Sequence, residues 1–284
     1  MQIIPPLQPA KKPFYQKISE SLVWTPSSYG LLSFLCVAIA LVVIVWWPLV
    51  QDYLGTIDPA FPLWQQIDWL LVGIFLAMSL LILFGANFNP DSRIVVVGLA
   101  GGLVIETWGT QTHLWNYYTL ERPPLWIIPA WPIASLATDR LARLLSILVE
   151  SIHLARSSSH LLARLFRFLR FECLSRLVFG GFFVFMIAFV WPTITKPATW
   201  LSLATAGILI LAIKDHRKAL LIFIAGSGLG YFLELWGTTR ACWIYYNFQT
   251  PPLFAVFAHG FASYAFYRSG ILLAQVKRIL CQPG

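Results

Sequence analysis

The 284-residue chain is 58% hydrophobic and only 11% charged, and its mean hydropathy is +0.71. This composition excludes an ordinary soluble domain and is typical of a membrane protein with several spans. The formal net charge of +8 does not indicate a nucleic-acid partner, because the arginines cluster in one amphipathic segment.

Residues 1–30 precede the first long apolar run and form a polar, proline-bearing segment, too long and too mixed for a secretory signal. We therefore predict a cytoplasmic tail at 1–30, followed by a span that is retained. The four cysteines lack C-x-x-C spacing, so neither a zinc site nor a disulfide framework is predicted.

Apolar windows of roughly the length needed to cross a bilayer predict an all-α fold with about eight transmembrane helices. The predicted spans are residues 31–50, 68–87, 93–108, 124–146, 177–193, 199–213, 218–236 and 252–275. They group into a first membrane repeat at 31–146 and a second at 177–284, joined by a basic amphipathic linker at 147–176. Arginines spaced three residues apart in this linker share one helical face with Leu and Phe between them, which favours contact with anionic lipid.

Two similar stretches of sequence support this division into halves. ETWGTQTHLWNYYTLERPPL begins at Glu106, and ELWGTTRACWIYYNFQTPPL begins at Glu234. The separation of these two glutamates is called the repeat offset below. At that offset, residues 98–140 show 17 identities in 43 positions, which indicates an internal repeat. Because each half holds an even number of predicted spans, we expect the repeats to be parallel in the membrane.

The distribution of basic residues predicts the orientation. Basic residues lie before the first span, after the second, fourth and eighth, and between the sixth and seventh, all on one side. Since basic loops stay in the cytoplasm, we predict cytoplasmic termini in an inner or plasma membrane, with both aromatic loops facing outward. Asp139 and Arg140, at the inner end of the fourth span, are interpreted as interfacial anchors.

Each repeated glutamate follows two glycines at four-residue spacing on one helical face, which favours close helix packing on that face. An ionisable group inside a span costs about 2.5–3.5 kcal/mol at the bilayer centre and less near its surface, so it needs a partner or a purpose. Two interpretations stay open. Glu106 and Glu234 brace the outer loops by accepting hydrogen bonds from N–H, Tyr and Trp donors, or at least one of them binds substrate or transfers protons.

The halves differ at Trp131, which is matched by His259, so the second half gains a titratable imidazole. The candidates for acid, base or proton relay are therefore Glu106, Glu234 and His259. The candidate substrate-binding residues are the aromatics of the two motifs: Trp108, Trp115, Tyr117, Tyr118, Trp131, Trp236, Trp243, Tyr245 and Tyr246. An aromatic belt at the membrane interface is the alternative explanation for these rings.

The motif resembles that of membrane carotenoid biosynthesis proteins of the bisanhydrobacterioruberin hydratase type. The matching positions are Glu106, Gly109, Trp115, Tyr117, Tyr118, Pro124 and Trp131. The resemblance implies an integral-membrane lyase of isoprenoid metabolism that hydrates a double bond dissolved in the membrane. In such chemistry a carboxyl group serves as general acid, and the faces of Trp and Tyr stabilise a carbocation by about 0.5–2 kcal/mol each.

Two other classes of function remain open: a transporter whose carboxyls couple to protons, and a non-catalytic subunit of a membrane complex. The sequence has no P-loop, dinucleotide fingerprint, H-E-x-x-H or G-x-S-x-G motif, so no cofactor and no metal are predicted. The expected partners are a membrane lipid or isoprenoid substrate, anionic lipid at the linker and, for the subunit alternative, another membrane protein.

Overall fold

The computed structural model describes residues 14–156 and 171–280, which are mainly α-helical, so the predicted all-α class is confirmed for this part of the chain. Its helices are α1 (Phe14–Ser21), α2 (Pro26–Val45), α3 (Trp47–Gly55), α4 (Leu63–Gln66), α5 (Trp69–Leu83), α6 (Phe88–Gln111), α7 (Ala130–Arg156), α8 (Phe171–Val190), α9 (Pro197–Leu211), α10 (His216–Thr239) and α11 (Leu253–Leu280). Two short strands, β1 (Trp115–Tyr117) and β2 (Trp243–Tyr245), form one small sheet.

Four helices in the described ranges are long and apolar enough to cross a membrane. They are α2, α6, α8 with the 3-10 turn that follows it, and α10. Helices α5 and α9 are equally apolar, but each has only 15 residues. These lengths and compositions are those of a membrane protein.

Some helix boundaries differ from the predicted spans, and prolines explain the late start of the fourth. The fourth span was predicted to begin at residue 124, whereas α7 begins at Ala130, after a 3-10 turn at Leu125–Ile127. Pro123, Pro124 and Pro129 lack a backbone N–H and disfavour a helical residue before them, so the helix starts only after them.

The predicted linker at 147–176 is not a separate element where it is described. Residues 147–156 continue α7, and residues 171–176 form the first turns of α8. The three evenly spaced arginines of the predicted amphipathic face lie between these parts, outside the described residues.

Equivalent elements of the two halves recur at the repeat offset. The bounds of α5 and α9, of α6 and α10, and of β1 and β2 are all separated by this same distance along the chain. Four non-glycine residues with positive φ obey the same rule: His113 pairs with Ala241, and Leu120 with Phe248. The two loops that follow α6 and α10 therefore have the same backbone shape, including left-handed positions that are uncommon for non-glycine residues.

The glycines of α6 and α10 allow close helix packing, as predicted. A Cβ atom on Gly98 would lie 2.8 Å from the Cα of Pro132 in α7, and one on Gly226 would lie 2.9 Å from the Cα of Gly260 in α11. Only glycine permits this approach of two backbones. The contacts join α6 to α7 and α10 to α11, which places the glutamate-bearing faces of α6 and α10 against protein.

Arg140 is not an interfacial anchor, which corrects the interpretation above. Its side chain is buried and donates to Asp91 Oδ2 at 2.5 Å, to Asp139 Oδ2 at 2.8 Å and to the carbonyl of Phe84 at 3.1 Å. A buried guanidinium needs such partners because its desolvation is costly. The ion pair with Asp91 ties the start of α6 to the middle of α7.

Candidate functional site

The loops that follow α6 and α10 meet in the β1–β2 sheet. The strands are antiparallel, with Trp115 opposite Tyr245, Asn116 opposite Ile244 and Tyr117 opposite Trp243. The central pair, Asn116 and Ile244, is separated by the repeat offset, so each is the counterpart of the other. This pairing places the equivalent Trp and Tyr side chains of both motifs around one point.

The carboxyl of Glu106 lies near the C-terminal end of α6 and is only 3% exposed. Its Oε2 accepts the indole N–H of Trp115 at 3.0 Å, and its Oε1 accepts that of Trp131 at 3.1 Å. The hydroxyl of Tyr117 is a further polar group that acts on this carboxyl. Donors from β1 and α7 thus converge on one buried acid.

Glu234 has the equivalent place in α10 and is also 3% exposed. Trp243 donates to its Oε2 at 2.9 Å, and the hydroxyl of Tyr245 donates to its Oε1 at 2.9 Å. The third partner is His259, whose Nε2 lies 3.0 Å from the same Oε1. The two sites share their strand donors and differ in the residue that the following helix supplies.

The motif sequence explains why the tryptophans reach the glutamates. A Cβ on Gly109 would lie 1.9 Å from the ring of Trp115, and one on Gly237 would lie 2.0 Å from the ring of Trp243. Only a residue without a side chain leaves room for each indole against its helix. The threonine after each glycine donates to the backbone carbonyl of its glutamate at 2.6 Å, in both halves.

The hydroxyl groups of Tyr117 and Tyr245 stay protonated over a wide pH range. Burial raises the pKa of each phenol well above its usual range, and the adjacent carboxyl groups raise it further. Both residues lie in the strands, beyond the ends of the long helices. They therefore stay protonated and keep donating to the glutamates.

Trp131 and His259 face each other between the two sites, with ring centroids 5.5 Å apart and planes inclined by 21°. They line a narrow crevice between α7, α10 and α11, with a volume of about 10 Å³. That is about the space of one water molecule. The His259 side chain is 20% exposed, whereas that of Glu234 is 4% exposed. The imidazole therefore separates the buried acid from the crevice.

Not every predicted site residue belongs to these two sites. Trp108 donates to Thr199 Oγ1 at 3.4 Å, and Trp236 donates to Asp68 Oδ2 at 2.9 Å. Tyr118 is exposed, and the hydroxyl of Tyr246 donates to the carbonyl of Phe189 at 2.8 Å. None of these four contacts a glutamate carboxyl in the described parts of the chain.

The burial of the strand aromatics shows whether they form an aromatic belt at the membrane interface or pack inside a folded loop. Trp115, Tyr117, Trp243 and Tyr245 are all 5–8% exposed, so they do not form a lipid-facing belt. The interpretation that each glutamate braces its loop through Trp and Tyr donors agrees with this geometry.

Two contacts between the halves were missed by sequence reasoning. Asp68, at the start of α5, accepts from the side chain of Arg240 at 2.9 Å as well as from Trp236. Lys196, at the start of α9, donates to the carbonyl of Thr112 at 3.3 Å. Asp68 and Lys196 are separated by the repeat offset, as are Thr112 and Arg240. The repeat could therefore have indicated that these two contacts are equivalent.

The Asp68 carboxyl is held in its ionised form. Partial burial alone would raise its pKa, but hydrogen bonds from Arg240, the backbone of Leu71 and Trp236 outweigh burial and lower it. Asp68 also caps α5 by accepting from the N–H groups of Leu70 and Leu71. One carboxylate thus fixes the N-terminal end of α5 to the C-terminal end of α10.

Within the described ranges, no three His, Cys, Asp or Glu side chains lie close enough together to hold a metal ion. Compared with known protein families, curated proteins and solved structures, the chain has no match.

Proposed function

We propose that the chain is an integral-membrane enzyme that hydrates a carbon–carbon double bond of an isoprenoid lipid. The observation that carries this proposal is the contact of 3.0 Å between the buried Glu234 and the partly exposed His259, whose imidazole lies beside a crevice between helices. A histidine that is hydrogen-bonded to a carboxylate is a suitable general acid and base. The resemblance of the motif to carotenoid hydratases supports the choice of substrate class.

The architecture in this proposal has about eight spans in two parallel four-helix halves. The constant separation between α5 and α9, α6 and α10, and β1 and β2 supports it. Both termini are then cytoplasmic, and the two glutamates lie near the outer surface of an inner or plasma membrane, where water is available.

The reaction needs one proton and one water molecule. His259 donates a proton to the less substituted carbon of the double bond, whose π electrons form the new C–H bond and leave a tertiary carbocation. Water then forms the C–O bond, and its surplus proton returns to the Glu234–His259 pair. The ring of Trp131, stacked on His259, lies where its face stabilises the cation.

Glu106 has a different role in this proposal. All three of its partners are N–H or O–H donors, and none of them exchanges protons near neutral pH. We assign Glu106 to bracing the first outer loop, and Glu234 with His259 to the chemistry. The aromatics of both strands hold the carboxyl groups in place, and the isoprenoid enters the crevice by displacing Leu229 and Leu233.

The test is hydration by purified protein in phosphatidylcholine nanodiscs. An acyclic carotenoid with terminal trisubstituted double bonds is incubated in oxygen-18-labelled water, and the extract is analysed by mass spectrometry. We expect a product heavier than its substrate by one labelled water. With His259→Phe the rate should fall by about 100-fold or more, because the proton donor is lost.

The matched control is Trp131→Phe, at the equivalent position of the first half. This variant keeps an aromatic face in the crevice and leaves the Glu234–His259 pair intact, so its rate should fall by less than about tenfold. Failure of the wild-type protein to hydrate any isoprenoid would reject the enzyme. Proton-driven solute uptake by the same protein in liposomes would favour the transporter, and a stably co-purifying membrane protein would favour the subunit.

A further inference from the structure

A second and much larger cavity lies at the outer side of the second half. Its volume is about 540 Å³, within the usual range of small-molecule sites. The end of α8, the loop after β2 and the start of α11 enclose it. Of the predicted binding residues, Tyr246 lines this cavity.

Three phenylalanines form the apolar wall of this cavity: Phe185, Phe189 and Phe254. Phe189 and Phe254 are stacked with ring centroids 4.0 Å apart and planes inclined by 15°. The ring of Phe185 meets Phe254 edge to face at 5.9 Å. The wall is therefore built of aromatic rings held by one another.

The opposite rim of the cavity is polar and uncharged. Asn247 donates from Nδ2 to Gln249 Oε1 at 3.1 Å, and the backbone N–H of Gln249 donates to Asn247 Oδ1 at 3.3 Å. These bonds position both amides but leave amide N–H groups available for a ligand. Thr250 adds a hydroxyl, and no lining residue carries a charge.

The equivalent loop of the first half has a different chemistry. Residues Thr119, Glu121 and Arg122 stand where the second half has Asn247, Gln249 and Thr250. Arg122 there hydrogen-bonds to His113, and Glu121 accepts from Thr119. Two charged residues are thus replaced by an amide and a hydroxyl in an otherwise identical backbone frame.

We propose that this cavity binds the uncharged, hydroxyl-rich headgroup of a glycolipid. Aromatic faces pack against the C–H faces of a sugar, and amide side chains donate to and accept from hydroxyl groups. The volume is sufficient for a hexose. A rim without charge offers no ionic partner to a phosphate.

The position of the cavity indicates a lipid rather than a free sugar. Leu253 lines it and is 58% exposed, and Phe248, on its rim, is 80% exposed. Exposed apolar side chains beside a polar pocket provide contacts for the glycerol and acyl region of a lipid. The site is independent of hydration, since neither glutamate lines it; Phe189, 6.0 Å from the ring of Tyr245, is the layer between them.

The experiment measures which lipid stays bound in nanodiscs of mixed composition. Phosphatidylcholine discs containing equal small amounts of monogalactosyl diacylglycerol, diacylglycerol and phosphatidylglycerol are analysed by native mass spectrometry. We expect the galactolipid to be retained about tenfold over the other two. The Ala188→Trp variant should abolish this preference, because Ala188 is an exposed residue that lines the cavity and an indole there would occupy the space of the ligand.

A second variant keeps the test valid if the tryptophan disturbs folding. Asn247→Leu with Gln249→Leu removes the amides and should also abolish the preference for galactolipid. Its matched control is Thr119→Leu with Glu121→Leu at the equivalent positions of the first loop, which should leave the preference unchanged.

Three results would overturn the proposal. Equal retention of phosphatidylglycerol or diacylglycerol would show that the headgroup is not recognised. Retention of no added lipid would show that the cavity is not a lipid site. Displacement of the galactolipid by an equal concentration of methyl β-galactoside would identify a free sugar as the ligand instead of a lipid.

Discussion

The two glutamate sites are built on one frame and differ in a single partner. In each, a strand tryptophan donates to a buried carboxyl at the end of a helix, and the hydroxyl of a strand tyrosine acts on the same carboxyl. The next helix adds Trp131 in the first half and His259 in the second. The shared donors hold each loop to its helix, and the single exchange is where the halves can differ in chemistry.

The exchange matters because the two side chains have different proton chemistry. An indole has one N–H, which is always a donor, whereas an imidazole is a donor, an acceptor or a cation. The helix partner of Glu106 is therefore always a donor, whereas the helix partner of Glu234 is an imidazole, whose role depends on its tautomer. Changing the strand residues that the two sites share should affect both sites equally. Changing Trp131 or His259 should affect them differently.

The largest expected effect comes from closing the space under the strand tryptophans. Gly109→Leu or Gly237→Leu would put side-chain atoms inside an indole ring, so the ring must leave its site and the carboxyl loses a donor. Overpacking and an unsatisfied buried group together predict a loss of about 4 kcal/mol or more in each case. Thermal unfolding of purified protein in detergent measures the loss.

The matched control for this change is Gly228→Leu on the exposed face of α10, where an added Cβ has no neighbour within 4 Å. That variant should unfold within about 0.5 kcal/mol of wild type. A destabilisation as large as that of Gly237→Leu would mean that glycine is needed for helix flexibility rather than for the indole.

A smaller but equal effect is expected when each indole donor is removed. Trp115→Phe and Trp243→Phe keep most of the ring volume but lose hydrogen bonds of 3.0 and 2.9 Å to their glutamates. Each should lower the free energy of unfolding by about 1–3 kcal/mol, because a buried acceptor loses its partner. Unfolding of both variants side by side tests whether the two losses are equal. A difference above about 1.5 kcal/mol would show that the two tryptophans do not have the same role.

The glutamate sites were partly predictable from sequence because they depend on local, repeated residues. The spacing of Gly98, Gly102 and Glu106 predicted a packed helical face, and nearby Trp and Tyr residues predicted donors for the acid. The partner of Arg140 could not be predicted in this way. It is Asp91, 49 residues away, and no repeat links the two positions.

The pairing of the loops illustrates the same limit. A strand of three residues such as Trp115–Tyr117 carries too short an alternation to be recognised, and nothing local shows that its partner is the other copy of itself. The sequence repeat established that the loops are alike. Only the fold brings them together in one antiparallel pair.

Exchanging the differing residue should separate stability from function. His259→Trp recreates the first site in the second half, and the space is present because His259 packs against Gly230 as Trp131 packs against Gly102. We expect stability within about 1.5 kcal/mol of wild type and loss of hydration in the nanodisc assay. Retained hydration would show that the Glu234–His259 pair is not the proton donor, and a large loss of stability would show that the sites are not interchangeable.

The smallest expected effect concerns the contacts that join the halves, Asp68 with Arg240 and Lys196 with the Thr112 carbonyl. Despite its partial burial, Asp68 has a lowered pKa because Arg240, Leu71 and Trp236 stabilise its carboxylate. A carboxyl whose pKa is lower in the folded chain stabilises the fold when the pH is above the pKa of the unfolded chain, about 3.9. This contribution is lost as the pH falls through the pKa of the folded chain. Because the Arg240 side chain is 45% exposed, the contribution should be only about 0.5 kcal/mol.

The free energy of unfolding of wild type, Asp68→Asn and Lys196→Met is measured between pH 7 and pH 3. Only the contact made by Asp68 should depend on pH in this range. Asparagine keeps the helix cap of α5 and removes only the ionised group, so Asp68→Asn should lose less stability on acidification than wild type. Lys196→Met should follow the wild-type acid profile, because lysine is charged throughout this range. If Asp68→Asn and wild type lost stability in parallel, the carboxylate would not be what holds α5 to α10, and the hydrogen bond from Trp236 would remain as the link between the halves.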